Sequence, residues 1–327
     1  MMHCYQAWVF ILVALSLARA DAQVTWKLAT GYRAESFHTQ NITAFAIEVA
    51  RSTVNGLRIA VYPGNSLVSL NDVRKAVQDG RVDSGEAIMT SMVKDLNVAG
   101  ADSIPLVFGS YSDARRLWQL QRPTLERLLA QRGFKQLYSV PWPPQGLYCK
   151  RPIVEAKDFR GSNMRTYKET TVRIAQSLGA TPVNVAMVDV GKALADGRID
   201  SMITSAVTGV ESRVWDHVRY YYEINARYPK IIVLVNLKRF NALPPEIRAI
   251  VMRADDIAEK RGWAASELAA PESTETLRRN GVKINPTPLG LERELQCIGE
   301  RFSSEWVKAV GAAALEIFIP YFMAARQ

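Results

Sequence analysis

KAVQDGRVDS (residues 75–84) and KALADGRIDS (residues 192–201) are two copies of one decapeptide, and most of their differences are conservative, such as Val77 for Leu194 and Val82 for Ile199. In both, a short helix runs out at a glycine that takes the left-handed conformation at little cost. An arginine then turns the chain into an apolar strand. Each copy occupies an equivalent place in a strand-helix-strand succession, so duplication of two α/β lobes is the economical explanation. A single long offset between copies excludes a solenoid.

Outward from the copies the alternation continues. Val24 to Thr30 and Leu57 to Tyr62 read as strands, with Ile42 to Ser52 as the helix between them and Phe37 and His38 in the preceding loop. Pro63 to Ser66, including Asn65, breaks the second strand. Tyr111 to Arg132 predicts two helices separated at Pro123, followed by a strand from Phe134 to Val140. Pro141 to Gly146, which includes Trp142, reads as a rigid crossing between lobes, since its prolines suit neither a helix interior nor a central strand. DFRGSNMRTY (158–167) is a turn that delivers a short strand ending at Arg165. A helix from Thr170, a strand from Thr181, the second copy, an apolar strand from Lys230 to Asn236 and a long helix from Pro244 to about Arg279 complete the pattern. The fold class is α/β, and open α/β sheets bind ligands beyond the carboxyl ends of their strands.

Trp8 to Leu17 is a short apolar run followed by Ala18-Arg19-Ala20 and Ala20-Asp21-Ala22, which suits a cleaved signal peptide of residues 1–22 with cleavage after Ala20 or Ala22. The rest of the chain is long enough for two cores. Cys149 and Cys297 imply no disulfide framework. The net charge of +9 is dispersed as single residues and pairs, without the basic face of a nucleic-acid binder.

Catalytic equipment is sparse. Beyond the signal only His38 and His217 could serve as imidazole bases, and no nucleophile elbow, zinc spacing, P-loop or dinucleotide fingerprint is present. No cofactor and no metal are expected. What stands out suits a binding cleft: Arg165, whose planar fork matches a carboxylate, is joined by Trp142, Tyr148 and Tyr167 as wall and by Thr204 and Ser205 as polar groups. Each has a structural alternative. Arg165 could sit in a solvated ion pair, the aromatics could pack as core, and Thr204 and Ser205 could cap the next helix. Glu86, just after the first copy at the place matching Ile203 after the second, and the loop residues Phe37, His38 and Asn65 are candidates from the opposite lobe.

Taken together, DFRGSNMRTY (158–167), SLGATPV (177–183), ALADGRIDSMITS (193–205), ADSIPLVF (101–108) and the helix after Leu243-Pro244-Pro245 resemble the substrate-binding proteins of tripartite ATP-independent periplasmic (TRAP) transporters, the DctP-like group. The resemblance implies a two-lobed periplasmic binding protein fold with a β-sheet in each lobe and a long helix spanning both. Lobe I would comprise 23–145 plus roughly 230–255, and lobe II 146–229 plus roughly 256–327. Arg165 falls on the arginine that in this family salt-bridges the ligand carboxylate. The implied protein is a periplasmic monomer that closes on a small organic acid anion and docks on a membrane permease, without enzymatic activity; a periplasmic enzyme and an orphan receptor feeding a sensor are the alternatives. Two departures narrow the ligand: Thr204-Ser205-Ala206 replaces a frequent Glu-Asn-Pro, and Pro144 to Cys149 lacks the second arginine of many dicarboxylate and sialic-acid binders. A monocarboxylate with an apolar or aromatic remainder, such as a 2-oxo or 2-hydroxy acid, fits this best.

Overall fold

The computed structural model describes residues 23–324, so the expected signal peptide lies outside the described residues. Strands β1 (Val24–Ala29), β2 (Leu57–Tyr62), β3 (Ser84–Ile88), β4 (Phe134–Pro141) and, far later, β10 (Lys230–Asn236) form one sheet in the order β2-β1-β3-β10-β4. Strands β5 (Gln145–Cys149), β6 (Asn163–Thr166), β7 (Thr181–Asn184), β8 (Ser201–Ser205), β9 (Tyr220–Tyr222) and β11 (Lys283–Asn285) form the other, in the order β11-β9-β5-β8-β6-β7.

The two decapeptides lead into β3 and β8. Each of these strands has a parallel neighbour on one side, β1 or β6, and an antiparallel crossing strand on the other, β10 or β5. The duplication read from the sequence is thus a duplication of sheet topology. Its two central antiparallel strands are exchanged: β5 follows β4 directly yet belongs to the second sheet, while β10 returns to complete the first. Gly80 and Gly197 both take positive φ, at 73° and 68°, where each short helix hands over to its strand.

Helix α1 (Phe37–Ser52) begins earlier than its apolar spacing suggests and takes Phe37 and His38 out of the loop into its first turn. Helix α2 (Val73–Gln78) carries the first decapeptide. Helix α3 (Tyr111–Ala130) is a single helix that runs through Pro123, correcting the expected pair; it packs on β4, and this tertiary support holds both halves in line. Gln145 and Gly146, expected in the rigid crossing, open β5 in the middle of the second sheet, and only Trp142 to Pro144 lie between strands. A side chain at position 146 could not fit, because a Cβ there would lie 2.3 Å from the Tyr221 ring.

The second lobe continues with helices α4 (Glu169–Ser177), α5 (Val190–Ala195) and α6 (Ala206–Glu211). After the short α7 (Leu237–Asn241), the long α8 (Pro245–Arg279) packs on α1 and β4 of one lobe and on α6 and β11 of the other. Helix α9 (Leu289–Val310) covers both, and α10 (Ala312–Ala324), expected with the second lobe, lies against α3 of the first. Cys149 is buried, Cys297 exposed, and both are free.

Candidate functional site

Strand ends from both lobes converge on one cavity. A cavity of about 400 Å³ between the sheets is lined from the first lobe by Gly31 and Tyr32 after β1, Asn65 after β2 and Ile88 at the end of β3. The second lobe contributes Arg165 and Tyr167 at the end of β6, Asn184 at the end of β7, and Thr204 and Ser205 at the end of β8. Trp142 enters from the crossing and Gln145 from the amino end of β5. Gln145 aside, the strand residues are at carboxyl ends in both lobes, with the crossing segment as floor, as α/β architecture requires.

Arg165 is buried, at 4% exposure. Its Nε donates to the Val185 carbonyl at 3.0 Å, which aims the rest of the fork, and its guanidinium lies 4.7 Å from the centre of the Tyr167 ring. No acidic side chain among the described residues pairs with it. Burial, and secondarily the nearby Arg227 charge, push its pKa down. A desolvated cation facing a cavity without a counter-ion is a site prepared for an anion.

Tyr167 is held by an interaction the sequence reading missed. Arg227, 1% exposed in the segment before β10, donates from Nη2 to the Tyr167 hydroxyl at 2.6 Å and from Nε to Gln145 Oε1 at 2.8 Å. Gln145 Nε2 in turn donates to the Tyr167 hydroxyl at 3.2 Å. Burial raises the Tyr167 pKa, but the charges of Arg227 and Arg165 and the two hydrogen bonds outweigh it, and the net shift is downward. Trp142 forms the opposite wall with Tyr32: their rings meet edge-on at 5.1 Å, and Trp142 Nε1 donates to the Tyr32 hydroxyl at 3.3 Å. Lys168 reaches from the second lobe across the cavity mouth to donate to Asn71 Oδ1 of the first at 3.1 Å.

The cavity therefore brings together six of the residues singled out in the sequence: Arg165, Tyr167, Trp142, Thr204, Ser205 and Asn65. Two of these also have structural tasks. The Ser205 side chain caps α6 by accepting from the Thr208 backbone at 3.3 Å, and Asn65, at φ 62°, accepts from the Leu70 backbone at 2.9 Å. The other four are not in the lining. Tyr148, on β5, is buried against Gly209 of α6, where its hydroxyl donates to the Ser205 carbonyl at 3.2 Å and its ring packs on Tyr221. Phe37, His38 and Glu86 stand behind the wall: His38 stacks on Tyr32 and packs at 4.5 Å on Trp142, Phe37 meets Trp142 edge-on, and Glu86 accepts from Thr30 Oγ1 at 2.5 Å. They support the aromatics that face the cavity.

The Glu86 and His38 side chains are fully buried, with the two groups 3.8 Å apart. Burial pushes Glu86 up to about 8, partly opposed by the Thr30 hydrogen bond, and pushes His38 down to about 3. Both are thus neutral in the folded protein near pH 6. Glu86, raised above its ordinary 4.5, contributes stability that is complete below that value and lost as pH rises through about 8. His38, depressed below its ordinary 6.5, contributes stability that is complete above that value and lost as pH falls through about 3. The two slopes cancel between 4.5 and 6.5 and leave Glu86 alone above it. Urea unfolding of Glu86→Gln should therefore show a flatter decline than wild type between pH 6.5 and 8, the difference approaching about 1.4 kcal/mol per pH unit. Parallel declines would mean that Glu86 is ionised in the folded state.

Tyr32, Asn184, Lys168 and Arg227 were not singled out in the sequence as site residues. Asn184 ends a strand and Lys168 closely follows one, as cleft residues must, which was a usable signal. Arg227 has its partners 82 and 60 positions away, and nothing local marks it.

Two α/β sheets whose carboxyl-terminal strand ends enclose a cavity with an unpaired buried arginine define a two-lobed receptor for a small solute. Residues 28–296 match the family described as DctP, bacterial extracellular solute-binding protein, family 7. The chain belongs to that family. Among solved structures it is similar to the Bordetella pertussis extracytoplasmic solute receptor DctP7, described as binding pyroglutamic acid, at 36% identity and a TM-score of 0.88 over 91% of this chain and 99% of that one. DctP6 of the same organism, also described as binding pyroglutamic acid, is 33% identical over 92% and 100%, with a TM-score of 0.88. A TRAP solute-binding protein from a marine metagenome, described as specific for pyroglutamate, is 31% identical over 92% and 99%, with a TM-score of 0.87. An uncharacterised Salmonella typhimurium protein, YiiZ, is 25% identical over 66% of this chain and 68% of its own length.

Proposed function

We propose that this chain is the periplasmic receptor of a TRAP transporter and that it captures pyroglutamate or a close cyclic monocarboxylate for delivery to a membrane permease. The observation that carries the reading is the unpaired, buried Arg165 at the wall of a cavity of about 400 Å³. One carboxylate satisfies it. Arg165 is the one guanidinium in the lining and the other cation there, Lys168, is engaged by Asn71, which favours one acid group over two, in keeping with three relatives at 31–36% identity that are described as pyroglutamate binders.

In this reading the ligand carboxylate meets Arg165, its ring methylenes lie against Tyr32 and Trp142, and its lactam faces the polar groups of Tyr167, Asn184 and Thr204. Contacts to both lobes give the closed form its differential affinity, and the Lys168–Asn71 bond closes the mouth. The chain binds and releases the acid unchanged. Thermal unfolding with L-pyroglutamate in large excess over Kd should raise Tm by several degrees, the shift growing with the logarithm of ligand concentration. An unchanged Tm at millimolar pyroglutamate, with a rise for an aromatic or aliphatic acid, would transfer the receptor to that acid.

A further inference from the structure

The hydrogen-bond chemistry around Tyr167 fixes more than its position. Arg227 has donors and no acceptor, so the Gln145 atom facing Arg227 Nε at 2.8 Å has to be the amide oxygen. The Gln145 amide nitrogen then faces Tyr167, at 3.2 Å, beside the Arg227 Nη2 at 2.6 Å. A phenol oxygen has two lone pairs and one hydrogen. Both lone pairs are engaged by these two donors. The hydroxyl hydrogen has no acceptor among the described residues, and Tyr167 and Gln145 both line the cavity.

We infer that Tyr167 is a specificity-determining residue, an obligate hydrogen-bond donor to the ligand, locked in that role by Arg227 and Gln145 as positioning residues. The cleft then selects acids that carry a second acceptor oxygen, a carbonyl apart from the carboxylate, and discriminates against equally sized acids with a hydrocarbon at that point. The asymmetry is physical. A ligand without the acceptor leaves a buried O–H unpaired, a larger loss than the hydrogen bond alone. The inference rests on the cleft being a carboxylate site, and it names the second feature of the ligand.

The test compares cyclopentanecarboxylate with its cyclopentanone analogue, in which the ring carbonyl of pyroglutamate is kept and a methylene replaces the ring N–H. Wild type should bind the ketone at least about tenfold more tightly, and in Tyr167→Phe this ratio should collapse toward unity. Because the ratio is taken within each protein, general damage from the substitution cancels. Equal affinities in wild type, or an undiminished ratio in Tyr167→Phe, would overturn the inference. A ligand-independent reading separates it from failure of the carboxylate site itself, which would appear as no binding of either acid. Carbon NMR of protein labelled at the tyrosine phenolic carbon, with the Tyr167 signal assigned by its loss in Tyr167→Phe, should report a neutral phenol at pH about 7. A phenolate there has no hydrogen to give, and that outcome overturns the donor role whichever acid binds.

Discussion

Arg165→Ala is expected to lower affinity for the captured acid by about 2–5 kcal/mol, roughly thirtyfold to several thousandfold, while the protein still unfolds cooperatively. The guanidinium is desolvated, with the Val185 carbonyl and the Tyr167 face beside it and the like charge of Arg227 nearby. Its burial cost is already part of the folded state, so an incoming carboxylate recovers charge pairing without further ordering of the arginine. After truncation the carboxylate would enter the same dry cavity with no cation to meet it. The unliganded protein should lose little, since what is removed is a buried charge without a partner, and its Tm should stay level or rise. Arg165→Lys should fall between the two, because a point ammonium cannot reproduce the bidentate fork. Titration calorimetry decides the matter. Near wild-type affinity in Arg165→Ala would remove Arg165 from the anchor role.

Asp102→Ala is expected to cost about 3–5 kcal/mol of folding stability, with no ligand involved. Asp102 and Lys230 are both buried. Asp102 Oδ2 accepts from the Lys230 backbone at 2.6 Å and lies 3.9 Å from its Nζ, which has no hydrogen-bond partner of its own. Burial pushes the Asp102 pKa up and the Lys230 pKa down, and in each case the other's charge opposes the shift. Without the carboxylate, Lys230 would have to stay buried and alone or give up its proton, and the backbone N–H opening β10 would lose its acceptor. Replacing Lys230 by Met in the same background should recover a large part of the loss. A urea midpoint unchanged by Asp102→Ala would show that solvent already reaches the pair.

The two decapeptides made the duplicated architecture legible because glycine at positive φ and a change from helical to strand periodicity are local events. Lys230–Asn236 and the long helix were legible for the same reason. Local signals misled where packing decided. Pro123 reads as a helix end, yet the helix continues because β4 supports it, and Phe37 and His38 precede the clear apolar spacing although the helix already includes them. In the cleft, residues at strand ends were found because strand ends are visible in sequence. Glu86 and His38 were recognised as unusual, but whether they face the cavity or stand behind Tyr32 and Trp142 depends on aromatic packing that no spacing encodes. Arg227 escaped for the plainest reason: its importance lies entirely in Gln145 and Tyr167, which arrive from distant parts of the chain.

The exchange of β5 and β10 has a consequence for how the polypeptide is made. Strand β10 lies between β3 and β4, so the amino-terminal lobe cannot close its sheet until residue 236 has been synthesised. Until then β3 and β4 have open edges toward each other, while the whole second lobe is produced in the interval. Pairing of such long sequence separation is slow, and neither lobe is a self-sufficient folding unit. A nascent chain ending anywhere before Lys230 therefore has no finished domain. The first sheet is therefore completed only after most of the chain has been made.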